Sequence, residues 1–168
     1  MRSLLLNAVA FAAIGLGSAE AMAQSCANAR EKSAFDLRAL QTHLMVGALS
    51  CGMHDRYNAF VTRFQSDLAG AHRNLSGYFN RVHGARGQRD LNEYITALAN
   101  AQSQEGIRHG NTFCARIGPM FDRVMATAGN ADLLQMAAQA NLPQAYPVRA
   151  CEVRTAGTPA PAATTQRR

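Results

Sequence analysis

Gln102, Glu105 and His109 fall on one helical stripe with Leu91, Leu98 and Phe113. Glu105 and His109 are four residues apart, so their side chains meet on one helix face. A carboxylate and an imidazole on an apolar stripe must find partners or shift their pKa values. Two arrangements satisfy that demand. One is a small-molecule or metal pocket inside a helical domain; the other is a polar cluster that fixes helix register. Bundle metal sites draw E-x-x-H pairs from two helices plus further carboxylates, and the neighbouring segments supply no such set. The register role is therefore the leading expectation, with Gln41 and Met45 beside the stripe and Arg63 paired to Glu105. Ala99, Gly106, Gly110 and Cys114 form a small-residue line next to it. Glycine weakens a helix, and close approach by another helix is the expected compensation.

His43, Met45, Met53 and His54 gather near one helix end. Methionine and histidine are copper ligands, but the spacing matches no closed site, and methionine fills core gaps well. Neither metal nor cofactor is expected. His72 and His83, at the edge of an apolar face, are read as surface residues. Arg56, Arg63 and Arg81 share one flank, which reads as solvated stems; an anionic surface is the alternative partner. No nucleophile elbow, S-x-x-K, H-E-x-x-H or glycine-rich phosphate loop occurs. The chain is therefore expected not to be an enzyme, and it carries no nucleic-acid motif.

The elements that must position these residues are helical. Arg30 to Ser50 reads as a helix with apolar residues nearly all round, the most buried of the set, and Gly52 is its stop. A second helix runs from Asp55, its N-cap, to just before Gly84. Tyr57, Phe60, Phe64, Leu68, Leu75 and Phe79 line its apolar face. Gly84 to Gln88 reads as a loop. A third helix begins near Asp90 and is kinked or split at Gly118-Pro119, because proline lacks the amide donor. A short fourth helix runs from about Ala131 to Ala140, and the chain is extended from Pro143 to Cys151.

The first 23 residues read as a secretory signal: Arg2, an apolar run from Leu4 to Leu16, and the cleavage site Ala21-Met22-Ala23. The run is about 13 residues, too short for a spanning helix, so no stable membrane insertion is expected after cleavage. Residues 152–168 read as a disordered Ala/Thr/Pro tail. The domain between, residues 24–151, holds 13 basic and 9 acidic residues. That balance does not demand a polyanionic partner. An even set of four cysteines in an exported chain reads as two disulfides. Cys26 and Cys51 flank the first helix and stand too far apart to join. Antiparallel packing then brings Cys114 to the level of Cys51, and Cys151 to that of Cys26. The alternative pairing is Cys26–Cys114 with Cys51–Cys151.

The segments Leu44-Met45-Val46-Gly47-Ala48-Leu49-Ser50-Cys51-Gly52, Tyr57-Asn58-Ala59-Phe60-Val61 and Thr96-Ala97-Leu98-Ala99-Asn100, with Phe113-Cys114, resemble those of an uncharacterised family of small exported helical proteins of proteobacteria. The resemblance covers most of residues 35–151. It implies export and paired cysteines, and it carries over no catalytic residue. The expected fold is all-α, an up-down helical bundle of about four helices stapled by two disulfides. The expected function is non-enzymatic binding of an unknown protein or envelope component, in the periplasm or secreted. The alternative is a periplasmic small-molecule or metal carrier with a pocket around Gln102, Glu105 and His109.

Overall fold

The computed structural model describes residues 25–151; the expected signal segment and tail lie outside the described residues. Among the described residues six α-helices follow in order: α1 (Ala29–Cys51), α2 (His54–Arg63), α3 (Gln65–His83), α4 (Gly87–His109), α5 (Asn111–Ala126) and α6 (Asn130–Gln139), with a 3-10 turn Gly84–Arg86 before α4. Among the described residues there is no strand, only an isolated parallel bridge between Ala27 and Ala150. The architecture is all-helical and held by two disulfides, Cys26–Cys151 and Cys51–Cys114. Its path differs from a four-helix up-down bundle.

α1 is the axis, and every other helix packs against it. Its start is fixed by a capping box in which the Asn28 side chain accepts from the Glu31 amide and Glu31 accepts from the Asn28 amide. Its end is fixed by Gly52 at φ 68°, a left-handed conformation that glycine adopts without a Cβ penalty. The α1 side chains Phe35, Leu37, Leu40 and Leu44 are fully buried, or nearly so, but Leu49 is exposed, so the apolar girdle opens at the last turn. Gly47 lets Ile117 of α5 close against α1, since a Cβ there would lie 2.6 Å from the Ile117 side chain.

The expected second helix is divided at Phe64 (φ −106°, ψ 22°) into α2 and α3. The division is local, because Phe64 and Leu68 still donate to Phe60 and Phe64. The apolar face survives it: Phe60, Phe64, Leu68, Leu75 and Phe79 are all buried. Gly84 to Gln88 is no open loop. It is a 3-10 turn running into α4, with Gly87 buried so tightly that a Cβ would meet the Asn80 backbone at 2.7 Å.

The next break falls at Gly110, not at Gly118-Pro119. Gly110 has φ 48° and ψ −130°, which a side chain disfavours, and α4 ends there. α5 instead runs through Pro119, giving up only the amide donor that proline lacks. The descent to Cys26 is likewise made by a different segment. α6 packs on α1, and residues 141–151 form an irregular strap back to the start of α1. The strap is fastened along its length. Pro143 O accepts from Gln102, Gln144 accepts from the Tyr94 hydroxyl at 2.9 Å, and the Tyr146 ring meets Tyr94 edge-on. It ends in the backbone bonds Ala27 N to Arg149 O and Cys151 N to Ala27 O, both 2.8 Å, and then in the disulfide.

Candidate functional site

Gln102 is the most deeply buried polar side chain, with 0% exposure. Its Nε2 donates to Ala39 O of α1 and to Pro143 O of the strap, each at 3.1 Å. One amide thus ties α4 to the central helix and to the strap. Its Oε1 is buried with no partner among the described residues.

Glu105 stands one turn further along α4, partly exposed. Arg108 donates to one carboxylate oxygen, and His109 Nε2 meets the other at 2.5 Å. The Arg108 and His109 hydrogen bonds, in that order, hold its carboxyl below the usual range. Glu105 and His109 do meet as their spacing requires, but at the rim of the domain and not in a pocket. The expected Arg63–Glu105 ion pair is absent. Arg63 lies at the end of α2, where it donates to Met125 O at 2.6 Å and Thr127 O at 2.8 Å at the end of α5. The break at Gly110 explains the difference. It places Glu105 close to the Cys51–Cys114 end, whereas Arg63 is twelve residues, about 18 Å of helix, beyond Cys51.

The small-residue line serves the same turn. Gly110 reverses the chain, Thr112 closes the end of α4 by donating to His109 O at 2.8 Å, and Cys114 enters its disulfide. Gly106 makes room for the Phe113 ring, which a Cβ there would approach at 3.1 Å. The space is taken by a side chain of the next helix, α5, and not by its backbone. Phe113 then meets His43 of α1 edge-on, with ring centroids 5.5 Å apart. His43 is 8% exposed, and its Nδ1 has no partner among the described residues. Burial first, then the Arg116 charge, pushes its pKa down to about 4, against a smaller opposing pull from Glu105.

The other candidates are also held by the fold. Met45 and Met53 are half-buried, with Met53 packed on the core, and His54 is exposed. No group of three or more metal-ligating His, Cys, Asp or Glu side chains converges among the described residues. His72 is exposed, but His83 is not a plain surface residue. It stacks on Phe79 and pairs through Nδ1 with Asp90 at 2.9 Å. The arginine flank is not simply solvated. Arg56 pairs with Asp122 and lies over Phe121. Arg81 pairs with the buried Glu31 at 2.6 Å and donates to Cys26 O at 3.1 Å.

Large apolar side chains also stand open among the described residues. Leu49 is 64% and Ile107 71% exposed. Ile107 lines a groove of about 480 Å³ with Ser50, Ser103, Gly106, Gly110, Asn111, Phe113 and Cys114, none of them charged. The sequence held a signal for it. Ile107 lies sixteen residues from Leu91, about 160° around α4 from the apolar stripe. A large apolar residue there has no core to enter. No described helix is long and apolar enough to cross a membrane. Two disulfides with no free cysteine are the usage of a chain that folds in an oxidising compartment. No family model, curated protein or solved structure matches the chain.

Proposed function

We propose that the protein is a non-enzymatic binding protein, exported to the periplasm or secreted, that engages another envelope protein through its Cys51–Cys114 end. The exposed Ile107 at the lip of an uncharged groove carries this reading. Apolar side chains of this size in a concave, uncharged patch suit an apolar segment of a partner. The polar residues that would serve a carrier are engaged elsewhere. Gln102 fastens the strap and α1, and Glu105 is bonded to its own helix neighbours. The resemblance to small exported helical proteins agrees with the compartment.

A photo-crosslinking amino acid placed at position 107, and separately at the exposed position 72, tests the reading in cells. A discrete adduct is expected at 107 and none at 72. No adduct at 107, or the same adduct at both positions, rejects the proposed face.

A further inference from the structure

A second open cleft lies on the other half of α1, some 20 Å of helix from Ser50. It is about 340 Å³, within the range of small-ligand sites. Its floor is apolar, made by Ala34, Leu37, Ala71 and Leu134. Its walls carry one cation, Arg30 of α1, and one anion, Asp67 of α3, together with the polar side chains Ser66 and Asn74.

These groups are available. Arg30, Ser66 and Asn74 make no side-chain hydrogen bond or ion pair among the described residues. Asp67 accepts from Asn130 Nδ2 through Oδ1 alone, leaving Oδ2 open. This contrasts with Arg56, Arg63 and Arg81, all of which are partnered within the fold.

The charges have a separation. α1 and α3 run antiparallel, since Glu31 pairs with Arg81 while Phe35, one turn on, meets Tyr78. Arg30 therefore stands at the Asn74 end and Asp67 at the Leu37 end. Seven residues separate Asp67 from Asn74, about 10 Å of helix. That spacing along the helices suits an extended chain of two or three residues, at ~3.3 Å each, better than a free amino acid, whose two charges are carried on one carbon.

We infer that this cleft binds the two charged ends of a short peptide. The C-terminal carboxylate pairs with the Arg30 guanidinium, which offers a two-pronged donor set. The N-terminal ammonium pairs with Asp67. The Asn74 amide bonds the peptide backbone, and the apolar floor takes small side chains. No bond is made or broken.

Isothermal titration of the purified, disulfide-intact chain with Ala-Ala-Ala tests this. Saturable binding is expected, weakened about tenfold either by N-acetylation or by C-terminal amidation of the probe. In Arg30→Gln, amidation should cease to matter while acetylation still does. In Asp67→Asn the dependence reverses. Both sites are on the surface, and unchanged circular dichroism will show that the variants fold. No saturable heat up to about 10 mM peptide overturns the inference, as does equal affinity for free and doubly capped peptide. Sensitivity to amidation alone also overturns it, because it marks a simple anion site.

Discussion

Replacing Cys26 and Cys151 together by serine lowers the unfolding free energy by about 5 kcal/mol in the chain-entropy account, for a link that joins residues 125 apart. The same replacement of Cys51 and Cys114, 63 apart, costs slightly less, about 4 kcal/mol. Either is a large part of the 5–15 kcal/mol that holds a typical domain, roughly speaking. Urea unfolding of each double variant measures the loss. The two differ in what they release from the native state. The Cys26–Cys151 link ends the strap, whose other ties there include the Ala27 backbone bonds to Arg149 and Cys151. Its removal is therefore expected to expose the bond after Arg149 to trypsin under native conditions, which removal of Cys51–Cys114 should not do. A shift below about 1 kcal/mol, or no new cleavage at Arg149, contradicts this description of the strap.

Acidification is the second large perturbation, and His43 is its source. The imidazole titrates near 6.5 when free and at about 4 in the fold, mainly because burial disfavours its charged form. Between those values the unfolded chain binds the proton and the folded one does not, so stability falls as pH drops from about 6.5 to 4. The full loss is on the order of 3 kcal/mol, reached below pH 4. His43→Leu keeps an apolar side chain against Phe113 and removes the titration. Thermal midpoints of the wild type should slope downward across that window, while those of His43→Leu should be much flatter. Equal slopes would remove His43 from the explanation. The Glu105 carboxyl, held low by Arg108 and His109, is a separate acid-range contribution that His43→Leu leaves in place.

Much of the fold was legible because helical periodicity is a repeated signal. The apolar faces of α1 and α3, the stop at Gly52 and the antiparallel levels of the cysteines all rest on it. Single-residue events were not legible in the same way. Gly110 sits on a continuous helical stripe, and only its positive φ reveals that it ends α4. Pro119 advertises a break, yet a helix can run through a proline at the loss of one donor. The strap has no periodicity at all. The partners it gives to Gln102 and Tyr94 could not be foreseen, so a buried glutamine resembled a binding residue. Arg63 was misplaced by the same error, since moving the break from Gly118 to Gly110 resets which residues share a level. Ile107 was readable in principle, as an apolar residue on the wrong side of its helix.

The binding account and the carrier account part at one comparison. Native mass spectrometry of the protein purified from its own envelope measures what each variant retains. Three forms are needed: the wild type, Ile107→Glu, and the double variant Glu105→Gln with His109→Gln. A protein that binds through its Cys51–Cys114 groove keeps its bound component in the double variant and loses it in Ile107→Glu, because a charge in an uncharged apolar groove must be desolvated without a partner. Retention by Ile107→Glu with loss from the double variant would contradict the account and return the function to Glu105 and His109.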